Sequence, residues 1–146
     1  MYLIPAFIAW SLAQIIKVII NLITGREISL AVAFGSGGMP SSHSSTVCRL
    51  ATAIAIREGF MSTTFSIAAV LAIIVMYDAM GVRRETGNQG KIINEMISIF
   101  NDMGRDLPVD KKFKELVGHS PLQVLFGAIL GCVVGAAFCY LFFPAV

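Results

Sequence analysis

Apolar positions dominate four stretches of the chain and polar positions gather at their ends, a pattern that predicts helices long enough to cross a lipid bilayer. The first, Tyr2 to Thr24, is apolar except for Gln14, Lys17, Asn21 and Thr24, which recur three or four residues apart and so share one face. That face cannot meet lipid, and Lys17 either pairs inside a bundle or snorkels to the interface. The second, about Pro40 to Gly59, is the least hydrophobic, with Arg49 in its middle and Arg57 and Glu58 near its end. It is expected to be wrapped by the others, Arg49 pairing with a carboxylate, satisfying carbonyls or snorkelling. The third runs from Ser62 to about Met80 and the fourth from Ser120 to about Phe143. Before the fourth, Ile92, Ile93, Met96, Ile97, Phe100 and Met103 form a helical stripe opposed by Lys91, Glu95, Ser98 and Asp102, which predicts an interfacial helix over residues 91–103. The expected fold is all-α, a single membrane domain over residues 1–146: an integral bundle of four helices plus an interfacial amphipathic helix. In the last span Gly127, Gly131 and Gly135 make a double G-x-x-x-G, which admits another helix at close range, from within the chain or from a second copy in a homo-oligomer.

Composition narrows the class. The 146 residues are 56% hydrophobic and only 14% charged, with a mean hydropathy of +0.79, which excludes an ordinary soluble domain. No positively charged segment precedes the first span and no small-residue cleavage site follows it, so that helix is expected to be retained rather than removed as a signal peptide. Cys48, Cys132 and Cys139 fall in apolar helical stretches without metal-ligand spacing and suit packing. A net charge of +2 is too small and too dispersed to indicate a nucleic-acid partner; membrane lipids are the partners expected.

Candidate chemistry sits at the ends of the spans. Gly37 to Ser45 reads G-G-M-P-S-S-H-S-S: two glycines free the backbone, and Pro40 sets a φ angle suited to a helix start. A helix N-terminus offers unpaired N–H groups and the positive end of the macrodipole to an anion such as phosphate. Ser41, Ser42, Ser44 and Ser45 add hydroxyls around His43; the plainer reading is a serine-rich cap. A second polar knot, Tyr77 to Gly90, puts Asp78 in the last turn of its helix, Gly81 at the stop, and Arg83 and Arg84 directly after. His119-Ser120-Pro121 forms the third, with serine to cap and proline for the first helical position.

Spans in alternating directions bring the end of the first, the start of the second, the end of the third and the start of the fourth to one membrane face. Those ends carry Lys17 with Arg26, Ser42 with His43, Asp78 with Arg83 and Arg84, and His119, which accounts for both histidines of the chain. Two imidazoles, several cations, a carboxylate and a helix N-terminus suit phosphoryl transfer, in which the protein positions the group and neutralises charge developing on its oxygens. One imidazole can attack phosphorus while the other protonates the leaving oxygen. There is no Walker lysine loop and no carboxylate cluster or His-x-x-x-His pair, so neither a metal nor another cofactor is expected. Lys91, Arg105, Lys111, Lys112 and Lys114 on this face, against Arg57 on the other, place it on the cytoplasmic side of the plasma membrane.

G-G-M-P-S-S-H-S, Y-D-A-M-G-V-R-R-x-x-G-x-Q and G-H-S-P-L-Q-V resemble the divergent branch of the type 2 phosphatidic acid phosphatase superfamily, distantly similar to acid phosphatases and vanadium haloperoxidases. The resemblance covers nearly the whole chain. It implies a metal-independent phosphatase for a lipid-linked phosphate or diphosphate, reached laterally from the bilayer. It further implies that Ser42 and His43 supply phosphate donors and the histidine acid, that His119 is the nucleophile, and that Lys17 and Arg26 bind phosphate. Three departures stand out. Eight residues separate Lys17 from Arg26 where the superfamily has six, with Ile28 near a position it gives to proline. Phe113 stands six positions before His119, where an arginine is expected, so Arg83 or Arg84 would supply that charge. Gln123, four after His119, replaces the orienting carboxylate, and its amide can accept from a ring N–H or donate and select the other tautomer. Asp78 is a candidate partner for an arginine or a histidine. The rival reading is a non-catalytic membrane protein that keeps a lipid-phosphate or anion-binding pocket.

Overall fold

The structure, a computed structural model, describes residues 3–25, 38–104, 113 and 118–142. Its regular structure is helical throughout: α1 (Leu3–Ile23), α2 (Ser42–Glu58), α3 (Thr63–Met80), α4 (Val82–Asp102) and α5 (Pro121–Phe142). Among the described residues three stretches are long and apolar enough to cross a membrane: Pro5–Ile23, one within Thr63–Asp102, and Pro121–Phe142. Small residues face inward and large apolar ones outward. On α1, Pro5, Ala9, Ala13 and Lys17 recur every fourth position and are buried, whereas Phe7, Ile8, Leu12, Ile15 and Ile19 are exposed. On α3, Ala68, Ala72 and Ala79 are buried while Ile67, Val70, Leu71, Ile73 and Ile74 are not. Lipid tails are as apolar as leucine, so nothing drives large side chains inward, and helices approach through small residues instead.

The polar helix α2 lies between α1, α3 and α5 and packs against all three. That enclosure is what lets a helix carrying buried Ser42, Ser44, Ser45 and Arg49 exist in an apolar surrounding. Arg49 is 1% exposed and does not snorkel: its guanidinium carbon lies 5.1 Å from the centroid of the Phe138 ring on α5. The glycines of α5 set the contact. A Cβ at Gly127 would strike the carbonyl of Ser41, one at Gly131 that of Ser45, and one at Gly135 would come within 2.9 Å of that of Arg49. Steps of four on both helices match turn for turn, so α2 and α5 run parallel with backbones close enough for Cα–H···O contacts. Of the two partners that the glycine face admits, a helix of the same chain, α2, is the one that lies on it.

α1 runs antiparallel to α2. Ser45 Oγ donates to the carbonyl of Ala9 at 3.3 Å, and the aliphatic stem of Lys17 lies against Gly38. Ser62 caps α3 by accepting from the N–H of Phe65 at 3.1 Å. The predicted polar connector after Gly81 is replaced by helix: α4 starts at Val82, nine residues before the expected residue 91. Gly87 and Gly90, which lie in the polar knot of the sequence, are buried on α4 and share a face with Arg83. Around the helix three sectors follow: that buried face, a polar one with Arg84, Lys91, Glu95 and Asp102, and an exposed apolar one with Ile92, Met96, Ile99 and Met103. The break at Gly81 frees carbonyls in the last turn of α3, and that of Ala79 accepts the N–H of His119 at 3.0 Å. By this bond the entry to α5 is tied to the α3–α4 junction.

Candidate active site

At the start of α2, Ser41 is the N-cap. Its Oγ accepts from the N–H of Ser44 at 3.4 Å and from the Ser44 hydroxyl at 3.0 Å, while its own N–H donates to the carbonyl of Gln123 at 3.0 Å. Pro40 therefore precedes the cap rather than opening the helix. Ser45, expected to face an anion, spends its hydroxyl on α1. Ser41 and Ser42 remain at the helix end, both buried.

His43 and His119 meet there edge to face, with ring centroids 5.9 Å apart. Each ring has one nitrogen engaged. His119 Nδ1 lies 3.3 Å from Gln123 Oε1, and the same oxygen accepts the N–H of Ser120 at 3.0 Å. A backbone N–H can only donate, so Oε1 is the atom facing the ring and Nδ1 carries the proton. Of the two roles open to Gln123, it takes the acceptor's. In the neutral ring His119 Nε2 is then the lone-pair nitrogen, buried and without a hydrogen-bond partner among the described residues. The ring is 1% exposed; burial holds the imidazole below the usual histidine range, the Gln123 amide and the backbone of Gly38 oppose this, and positive charge on His43 or Lys17 would push it further down.

Arg83 supplies the cation beside His43. Its Nε donates to Asp78 Oδ2 at 2.7 Å and its Nη1 to His43 Nε2 at 3.4 Å. Asp78 thus serves an arginine, neither a histidine nor Arg49. With side chains 42% and 40% exposed the pair adds at most about 1 kcal/mol of stability; what it contributes is a fixed guanidinium plane. Arg84 is exposed on the polar sector of α4, so the structure brings Arg83 rather than Arg84 to the histidines. Lys17 is 1% exposed beneath Gly38. Arg26 lies outside the described residues.

Phe113 stays away from the rings. Its backbone is held by Asn94 in a two-way amide pair, both bonds 2.9 Å, and its side chain is exposed. The cation beside His43 comes from Arg83 on α4 instead. Two positions escaped the sequence reading. Gly118 adopts a φ of +92°, and a Cβ there would overlap the backbone of Arg83 and Arg84, so it seats the His119 loop on α4. Asn94 belongs to no motif in the sequence, and its amide pair with Phe113, 19 positions away, appears first in the fold. Among the described residues no three His, Cys, Asp or Glu side chains come together to hold a metal.

Residues 1–134 match the Divergent PAP2 family. The chain belongs to that family. A Bacillus subtilis (strain 168) relative, described as the uncharacterized membrane protein YuiD, is 40% identical over 139 residues, covering 89% of this chain and 88% of the relative. No solved structure matches the chain. The motifs that carry the family likeness are the ones the fold gathers: the α2 N-terminus, the α3–α4 junction and the His119 loop.

Proposed function

We propose that this divergent PAP2 protein is a membrane phosphatase that hydrolyses a lipid-linked phosphate or diphosphate through a phosphohistidine at His119. The observation that carries the reading is the placement of that ring: Nδ1 faces Gln123, Nε2 is buried without a hydrogen-bond partner among the described residues, and the ring meets His43, which Arg83 contacts. His119 Nε2 attacks phosphorus, the bond to the lipid oxygen breaks, and His43 passes a proton to that oxygen. Water then attacks the phosphohistidine with His43 as base, and the electron pair returns to Nε2. Arg83, Lys17 and the N–H groups opening α2 neutralise the phosphate oxygens; donors of this kind are each worth on the order of a hundredfold in rate. These groups suffice for the step without a metal. The exposed apolar sector of α4 rests in the headgroup layer on the cytoplasmic side, and the amphiphilic substrate enters from the bilayer.

The test is release of inorganic phosphate by purified protein in lipid nanodiscs, across lipid phosphates and diphosphates, with and without chelator. Turnover unchanged by chelator is expected; turnover abolished by it would replace this chemistry with a metal-dependent one. A second reading, a lipid-phosphate or anion-binding pocket without turnover, is favoured by Gln123, which brings no negative charge to stabilise an imidazolium. Retained phospholipid binding with no release from any substrate would establish it.

A further inference from the structure

Arginine can only donate, so the contact between Arg83 Nη1 and His43 Nε2 fixes the resting state of that ring: Nε2 is unprotonated and the neutral imidazole carries its hydrogen on Nδ1. Nδ1 is itself buried without a partner among the described residues. A neutral imidazole is not a useful acid. The charged and titratable groups facing His43 are Arg83 on α4, Lys17 on α1, Asp78 on α3 and His119 before α5. Asp78 is engaged by Arg83 Nε, and His119 is a neutral donor–acceptor pair already turned to Gln123. In this arrangement neither imidazole holds a spare proton for a leaving group.

We propose that the proton arrives on the substrate, and that Arg83 is the positioning residue that admits it; the inference rests on the phosphatase reading above. A phosphate that binds between the histidines draws Arg83 off His43, because a guanidinium–phosphate contact pairs opposite charges and can be bidentate, whereas the one to a neutral ring is a single bond to an uncharged acceptor. Asp78 grips Nε only, which leaves the Nη1 and Nη2 edge free to turn to phosphate while the pair stays intact. His43 Nε2, released, takes the proton from the monoprotonated phosphate, leaving a dianion and an imidazolium. His119 Nε2 then attacks, the phosphorus–oxygen bond to the lipid breaks, and the same His43 proton goes to the departing oxygen. Atoms and charge balance with no other co-reactant. The substrate class follows: a phosphomonoester or the terminal phosphate of a diphosphate, which has a second proton to bring and keeps it in a minor fraction of molecules at neutral pH, and not a phosphodiester, which has none.

The experiment has two arms. In nanodiscs, nitrogen-15 NMR of histidine-labelled protein at neutral pH is expected to show His43 neutral with Nε2 bare, and to show it doubly protonated once inorganic phosphate is in excess. A His43 that is protonated at Nε2 in the empty protein, or unchanged by phosphate, overturns the proposal whether or not the protein is a phosphatase. In the second arm, a lipid phosphomonoester and its monomethyl ester are compared at equal pH. The monoester is expected to react at least about a hundredfold faster, with kcat/KM falling about tenfold per pH unit above the second phosphate pKa, near 6. Comparable rates overturn the proposal, while no turnover of either sinks the phosphatase reading and leaves the NMR result to judge the proton transfer. Arg83→Met is expected to remove the resting Nε2 constraint on His43 and Arg83→Lys to restore it only in part; a His43 tautomer indifferent to both changes also overturns it.

Discussion

In the proposed mechanism His119 and His43 have different roles, and substitution separates them. His119→Ala is expected to abolish any phosphoenzyme, whereas His43→Ala permits its formation with a leaving group that needs no proton, read by trapping labelled phosphate on the protein. Equal, mild losses in both would make them structural. Gln123 accepts from the ring N–H of His119 and from Ser120 at once, so Gln123→Glu keeps the geometry and adds a charge that stabilises the imidazolium. Turnover is expected to rise about tenfold, since orienting carboxylates in comparable triads are worth more; a fall would remove His119 from the nucleophile's place. The buried ring also makes stability depend on pH. Its folded-state pKa is below that of the unfolded chain, so the unfolded state binds more protons as acidity rises. Stability is complete above about pH 6.5 and is lost as pH falls from there toward the folded value. Melting temperatures of wild type and His119→Gln in detergent, compared at neutral and mildly acid pH, should show the smaller acid loss in the variant.

At the scale of helices, α2 is the element to which the others are fitted. Gly127, Gly131 and Gly135 lie on its carbonyls, and any side chain there must push α5 away. Gly131→Ala is expected to cost about 1–3 kcal/mol, the usual range for overpacking. Ala136→Leu on the exposed face of the same helix should stay within about 0.5 kcal/mol. Equal effects in thermal melts would mean that α5 does not pack on α2 through its glycines. α4 was legible in the sequence only from residue 91 onward, because the glycines and charges before it carry the composition of a loop. Burial of Gly87 and Gly90 against the protein is a tertiary gain that outweighs their poor helix propensity, roughly 1 kcal/mol each.

For the whole molecule the proposed orientation is testable from outside the cell. A cysteine replacing exposed Lys91, on the same side as the histidines, is expected to escape an impermeant thiol reagent in intact cells and to react once they are opened. Labelling in intact cells would put the site on the outer face.

What the sequence determined by itself is what depends on local composition and on counting: a helical membrane protein, the bounds of α1, α2, α3 and α5 to within about two residues, and the gathering of Lys17, His43, Asp78, Arg83 and His119 at one end. Alternating spans require that gathering whatever the packing. Pairings are another matter, because each depends on distances across the fold. Lysine and arginine are equally plausible partners for any carboxylate in a string of letters, and only the turn at Gly81 sets Arg83 on Asp78 and leaves Arg84 exposed. The acceptor role of Gln123 required the N–H of Ser120 beside it, and the internal partner of the α5 glycines required α2 to run parallel at their four-residue step. Hydropathy and periodicity act through the chain's solvent and are written in the sequence; hydrogen-bond direction and close packing act at a few ångströms between segments far apart in the chain, and only the folded structure decides them.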